Sequence, residues 1–370
     1  MKIYKIIYLF IAALLFYSCK TTEPVIDELV PERPAVRRTA PAAPAVVEPV
    51  ISAPEAVIPP RGHTGPVLTV AFNPDGSRFI TGAADNTIML WETATGALIR
   101  TMIGHTSWVN SAAFSPDGVF IASSGYEDKT IKLWNAETGE LIRTFTGHEG
   151  MVSSVDFNND GTRILSGSID NTVKLWDIAT GRVVRTFWGD LGMVTSAVFS
   201  PDGRYVVFTD QSISFFNFTS TIKFYDVGTG REIRRFPRFR ESIYSVRYSP
   251  NGNYFLFSLG DGTVKIYEEQ SGREIRVLSG HTGWVHSACF SPDGRFIASG
   301  AGAGDNTVKL WDFSAGRLTR TFAGHTGWVM SVVFSPDGAY ILSGAYDHTA
   351  KLWNAQTGEL IRTFGAGRRQ

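Results

Sequence analysis

The sequence predicts an all-β fold, a seven-bladed β-propeller of four-stranded antiparallel blades, and three recurrences predict it. A turn dipeptide stands at Asp75-Gly76, Asp117-Gly118, Asp160-Gly161, Asp202-Gly203, Asn251-Gly252, Asp293-Gly294 and Asp337-Gly338. An aromatic followed by a polar residue stands at Trp91, Trp134, Trp176, Tyr225, Tyr267, Trp311 and Trp353, at successive spacings of 43, 42, 49, 42, 44 and 42 residues. A glycine follows each of these aromatics by five residues, from Gly96 to Gly358. Periods of this length mark solenoids, propellers or arrays.

The chain opens on residues 1–19, where Lys2 and Lys5 precede twelve consecutive apolar residues, 6–17. A membrane span needs roughly 20 apolar residues, so the run reads as an export signal. Residues 15–19, Leu-Phe-Tyr-Ser-Cys, resemble a bacterial lipoprotein signal. That resemblance implies that Cys19 is lipidated and becomes the mature N-terminus, and that the protein is exported and membrane-anchored, facing the periplasm or the cell surface. The alternative is a simple signal peptide, or an uncleaved anchor, whose cysteine is incidental.

Residues 20–60 contain nine of the 17 prolines, interleaved with Ala, Val and Glu. Proline removes backbone donors and fixes φ, so this linker reads as an extended tether without a core. The repeats occupy 61–370.

Composition fits this reading. Lys plus Arg and Asp plus Glu balance at 35 each, so no basic field argues for nucleic acid. Two cysteines, Cys19 and Cys289, cannot make a disulfide framework. Aromatics at 12% and 37 glycines suit sheets and turns.

The second repeat shows the element order: residues 108–115 are rich in β-formers and end at Ser-Pro-Asp-Gly, 120–125 follow that turn, 130–135 alternate, and 140–145 follow Glu137-Thr138-Gly139. A four-stranded meander cannot bury both faces alone, and seven placed radially close into a disc with protected edges. Gly104-His105, the Ser-Pro-Asp-Gly turn, Asp128 with Thr130, and Leu133-Trp134-Asn135 resemble the WD-repeat β-propeller family, over residues 62–364. Residues 358–364 repeat 139–145, so the C-terminal segment is expected to supply the outer strand of blade seven. The proline-rich residues 53–60 are not expected to close the ring.

Five repeats carry His, Ser or Thr, Asp and Trp: His63, Thr81, Asp85, Trp91; His105, Ser123, Asp128, Trp134; His148, Ser166, Asp170, Trp176; His281, Ser299, Asp305, Trp311; His325, Ser343, Asp347, Trp353. The inventory matches a nucleophilic triad, but five identical active sites in one ring make no chemical sense. The family resemblance implies a structural network in which Asp holds His, His holds the hydroxyl and the hydroxyl holds the indole. With five of seven histidines so used, no metal site is expected, since His286 and His348 have no supporting ligand spacing. No cofactor and no enzymatic activity are expected.

Repeats four and five break the pattern. Asp190, Phe208, Thr219 and Tyr225, then Phe239, Phe257, Asp261 and Tyr267, fill the four places, and aromatic packing is expected to replace the polar network. The insert that lengthens repeat four carries Phe215, Phe216 and Phe218, expected near Arg234, Arg235, Arg238 and Arg240. One reading is a lobe for an anionic or apolar partner; the other is a lengthened hairpin packed on its own blade.

The family resemblance also implies where a protein or peptide partner binds. The positions are those following the Gly-His loops, here Trp108, Asn110, Met151, Met193, Tyr244, Trp284, His286, Trp328 and Met330, and those preceding the tetrad aspartates, here Glu127 and Tyr346. Trp, Tyr and Met are the types enriched in interfaces. Cys289 reads as a small buried filler. The functional expectation is a non-catalytic binding platform or assembly scaffold at a bacterial envelope, with glycan recognition over the aromatic rim as the alternative and a propeller enzyme third.

Overall fold

Each repeat folds into a meander because its turns are set locally. In the second repeat Asp117 accepts the Val119 amide at 3.0 Å, and the Ser115 hydroxyl accepts the Phe120 amide at 2.9 Å. Gly118 sits at φ 73°, a left-handed conformation that a Cβ disfavours. The strands that follow are Phe120–Gly125 and Ile131–Asn135, both buried along most of their length. The outer strand, Leu141–Phe145, leaves Leu141 and Ile142 exposed.

The structure is a computed structural model that describes residues 62–214 and 217–365. The segments 1–19 and 20–60, with Cys19 and residues 53–60, lie outside the described residues, as do Phe215 and Phe216. The described residues form seven four-stranded antiparallel sheets, each from four consecutive strands. The first strands of successive blades pack on one another round the ring, and that of blade seven packs on that of blade one. This is the seven-bladed propeller the repeats predict.

The apolar core lies between blades. Ile80, Leu90 and Met102 of blade one, for example, pack with Val109, Ile121 and Trp134 of blade two. Blade seven consists of Val329–Phe334, Tyr340–Ala345, Ala350–Asn354 and Leu360–Phe364, so its outer strand comes from the C-terminal segment as expected. Phe364 then packs edge-on against Phe79 of blade one at 4.7 Å between ring centroids. A Cβ on Gly62 would fall 2.6 Å from the Gly365 backbone, so only glycine permits the two ends of the described chain to meet so closely.

Two polar belts tie blade to blade. On the inner side, a hydroxyl of the first strand accepts a backbone amide of the next blade: Thr69 from Ala112, Ser111 from Val155, Ser154 from Ala197, Ser196 from Val246, Ser287 from Val332, and Ser331 back to Val70. On the outer side, an arginine of the fourth strand donates to turn carbonyls of the next blade. Arg100 reaches Glu137, Arg143 reaches Ala179 and Thr180, and Arg185 reaches Gly228 and Thr229. Arg234 reaches Glu269 and Gln270, Arg276 reaches Phe313 and Ser314, and Arg320 reaches Gln356 and Thr357. Arg362 lies over Gly96 of blade one, the same place in the ring.

Candidate functional site

The five sets of four come together as predicted. In blade two the Trp134 indole donates to the Ser123 hydroxyl at 2.8 Å, Ser123 meets His105 Nε2 at 2.8 Å, and His105 Nδ1 meets Asp128 at 2.7 Å. The assignment that satisfies every atom runs one way: indole N–H to hydroxyl, hydroxyl to Nε2, Nδ1–H to carboxylate. The aspartate also accepts the Thr106 amide, so the network ties the Gly-His loop to the loop between the second and third strands. The same bonds recur around Thr81, Ser166, Ser299 and Ser343.

Burial pushes the tetrad carboxyls up, but their histidine, threonine and backbone partners outweigh it. Asp85 and Asp128 are thereby held down at about 2, and Asp170, Asp305 and Asp347 fall lower still. The hydroxyls of Ser123, Ser166, Ser299 and Ser343 belong to residues with 0% exposure, so no substrate reaches them without opening a blade. The arrangement holds loops in place; it is not built for nucleophilic attack.

Blade five follows the sequence expectation, with Phe257 stacked on Tyr267 at 5.2 Å and against Phe239 at 5.2 Å. Blade four departs from it. Phe208 does stack on Tyr225 at 5.5 Å, but a charged cluster is built beside them. Lys223 and Asp210, both with side chains at 0% exposure, lie 3.6 Å apart. Lys223 also meets Asp190 at 2.8 Å and Glu232 at 3.8 Å. Asp210, not Thr219, takes the place of the tetrad aspartate, because it accepts the amides of Asp190 and Leu191 at 2.6 and 3.1 Å. Lys223 closes the network that histidine closes elsewhere.

The insert of blade four extends the hairpin of Tyr205–Ser214 and Asn217–Asp226, which pair without a break from Tyr205↔Asp226 to Ser214↔Asn217. Phe218 pairs with Ile213 near its tip. Arg235 is committed to Asp190 and Glu232, and Arg234 to the next blade, so neither belongs to a partner lobe. Arg238 and Arg240 are exposed and flank Phe239, which bridges to Ser220 in the outer half of that hairpin.

The positions expected to meet a partner do not form a uniform rim. Those of blades five, six and seven make a connected aromatic arc, and blade two carries a separate stacked pair. Tyr244 stacks on Trp284 at 6.4 Å, Trp284 meets Trp328 edge-on at 5.8 Å, and Trp328 meets Tyr346 at 5.5 Å. His286 sits inside the arc, 4.9 Å from Tyr244 and stacked on Trp328 at 5.8 Å. Burial pushes its imidazole down to about 4, so it is neutral. Trp108 stacks on Tyr126 at 6.2 Å, and burial, then the phenol of Tyr346, then Glu127, push the phenol of Tyr126 up.

Asn110 is spent on the Ser153 carbonyl at 2.7 Å, and Met193 is approached by the Gln211 amide at 3.5 Å. Met151 and Met330 are half-buried, and Glu127 is exposed. Tyr126 is the residue that counting back from the aspartate misses. Its amide donates to the Trp108 carbonyl as that of Tyr346 does to Trp328, so Tyr126 and Tyr346 are equivalent, and Glu127 is one residue inserted after it. The arginine belt had a signal too: each arginine follows its turn glycine by four residues.

The chain matches the family described as "WD domain, G-beta repeat" over residues 55–92, 96–135, 139–177, 230–268, 272–312 and 316–354. The stretch left between 177 and 230 holds the outer strand of blade three and the first three strands of blade four, where histidine, hydroxyl and tryptophan are all replaced. Among relatives, the chain is 43% identical over 61 residues to ribosome assembly protein 4 of Chaetomium thermophilum, covering 16% of this chain and 12% of the relative. It is 49% identical over 57 residues to eukaryotic translation initiation factor 3 subunit I of Phaeosphaeria nodorum, covering 15% and 17%. It is 44% identical over 55 residues to dynein assembly factor with WD repeat domains 1 of Danio rerio, covering 15% and 13%. The chain thus spans less than a fifth of the length of these relatives. The repeats, the blades and the match along six of them agree, and the chain belongs to the WD domain, G-beta repeat family.

Proposed function

We propose that the protein is a non-catalytic platform that binds a protein partner over the aromatic arc, and that a lipid on Cys19 holds it at a bacterial envelope membrane. The observation that carries the binding reading is the arc itself: Tyr244, Trp284, Trp328 and Tyr346 are in ring-to-ring contact, each partly buried with an edge left to solvent. Large aromatics held rigid at a surface provide contact area at low entropic cost. Relatives named for ribosome assembly and dynein assembly support a role in assembly. The envelope reading rests on residues 1–19 alone.

The test is crosslinking in the native envelope followed by mass spectrometry, with the wild-type chain and with Trp284→Ala/Trp328→Ala. Loss of the captured partner with an unchanged melting transition is the expected result; undiminished capture refutes the binding face. Labelling with a radioactive fatty acid, lost in Cys19→Ala, tests the anchor.

A further inference from the structure

Independently of the arc, we propose that the central channel binds a small zwitterion of the amino-acid type. Its ammonium group lies on Asp156, its carboxylate on Arg247, and its apolar side chain in a hollow at one mouth of the channel. The first strands of the seven blades ring this channel. Together they hold only two charged side chains, Asp156 of blade three and Arg247 of blade five, since His286 is neutral. The two occupy the same strand position: Asp156 pairs with Leu165 and Arg247 with Leu256, where the other blades carry Ala71, Ala113, Val198, Cys289 and Val333. Small or apolar side chains therefore suffice at this level of the ring, and closing it requires neither charge.

Both side chains are seated on one strand, Met193–Phe199 of blade four, which stands between them. Asp156 Oδ2 accepts the Phe199 amide at 3.0 Å. Arg247 Nη1 meets the Ser196 hydroxyl at 3.5 Å and donates to the Val246 carbonyl at 2.9 Å, while its Nε and Nη2 make no hydrogen bond among the described residues. The two anchor points are three residues apart, about 10 Å along an extended strand. Neither charge is in an ion pair among the described residues; Asp156 is partly buried and Arg247 exposed. Opposite charges that share one channel without meeting suit a ligand that carries both, with a charge-assisted hydrogen bond of about 2.8 Å at each end. Burial pushes the Asp156 carboxyl up to about 6, against the pull of the Phe199 amide, then Arg247, then the Phe157 amide. An ammonium group beside it favours the ionised form that burial disfavours.

The hollow supplies the apolar part of the site. It has a volume of about 420 Å³ and is lined by Phe72, Phe114, Phe157 and Phe334 together with three turn prolines, and Asp156 is the only charged residue that lines it. A cavity of this size, mostly apolar with one well-placed polar group, is of the kind that holds small ligands. It opens away from the arc, because each first strand runs from its Gly-His loop towards these turns.

Isothermal titration calorimetry of the full chain tests this with three probes that share a phenyl group. L-phenylalanine carries both charges, 2-phenylethylamine only the positive one and 3-phenylpropanoate only the negative one. L-phenylalanine should bind at least tenfold more tightly than either. Asp156→Asn keeps an oxygen for the Phe199 amide; it should weaken L-phenylalanine and 2-phenylethylamine fivefold or more and spare 3-phenylpropanoate. Arg247→Gln keeps a donor for the Val246 carbonyl; it should weaken L-phenylalanine and 3-phenylpropanoate by as much and spare 2-phenylethylamine. Loss of folding would weaken all three probes alike, so the crossed pattern reads the two charges separately. Equal affinity for the three probes, no binding of L-phenylalanine at roughly 10 mM, or substitutions that act on all three alike overturns the inference.

Discussion

Replacing Lys223 with methionine tests whether blade four is held by charge. Lys223 is fully buried and lies within 4 Å of three carboxylates, one of which, Asp210, is itself fully buried. Methionine keeps the length of the stem and removes the charge. Asp210 would keep the amides of Asp190 and Leu191 but lose its counter-ion. Removing one partner of a buried pair costs about 3–5 kcal/mol, because the other charge stays in a medium that cannot solvate it. At about 2 cal/mol/K of unfolding entropy per residue over some 300 folded residues, the melting transition should fall by roughly 5–8 °C. Lys132→Met is the control: Lys132 occupies the same strand position in blade two but donates only to Thr144, at 3.1 Å, so about 1 kcal/mol is expected. Adding Asp210→Asn to Lys223→Met should recover much of the loss. Differential scanning calorimetry of the four proteins reads this directly. Equal, small effects of Lys223→Met and Lys132→Met would refute the charged cluster as the substitute for the tetrad.

Ser343→Ala removes the atom that joins Trp353 to His325, at 2.9 and 2.7 Å, and should cost about 1–3 kcal/mol in urea unfolding, whereas Ser335→Ala at the turn below should cost less. Arg320→Met breaks two bonds to blade seven, at Gln356 and Thr357, and should raise hydrogen exchange at that turn without changing the face that carries the arc. The tetrad aspartates predict the response to acid. Their folded pKa values lie below the unfolded value, so their stabilisation is present above about pH 4 and is lost as pH falls through about 2 for Asp85 and Asp128. At about 2 kcal/mol for each of these two, an acid titration followed by tryptophan fluorescence should show unfolding between these limits, and Asp128→Asn should flatten part of it.

The blade count and strand order could be read from sequence because each turn is encoded within a few residues: Asp117 and Gly118 fix their own hairpin with no help from the rest of the chain. The tetrads were legible for a different reason, since four residue types at fixed spacing recur in five blades. Blade four failed because its substitute network uses residues from other positions. Asp210 lies within the lengthened second strand, and Lys223 is a third-strand lysine with close equivalents, Lys132 and Lys351, that do ordinary work. Only the absence of histidine at Asp190 frees Lys223 to turn inward. Counting from the tetrad aspartate likewise placed Glu127 where Tyr126 stands, because the loop of blade two has an extra residue and the register is kept by the strand before it.

The scaffold and the candidate binding face are linked through the loops. Trp284 and Trp328 lie three residues after His281 and His325, and the loops that carry them are pinned by Asp305 and Asp347 through the amides of Thr282 and Thr326, at 2.8 and 2.9 Å. The pinning has a consequence for binding: a tryptophan whose loop is already ordered loses little further entropy when a partner covers it. Tyr244 has no such support, since blade five lacks the histidine and is held by the packing of Phe239, Phe257 and Tyr267. The arc thus has two rigid central rings and a softer end. Breaking the tetrad of blade seven with Ser343→Ala should therefore weaken partner capture more than an equally destabilising change in blade three, such as Ser166→Ala, because only the first loosens a ring that the partner touches. Equal losses for the two would show that the tetrads act on binding only through global stability, and that the arc's order does not depend on the loop beneath it.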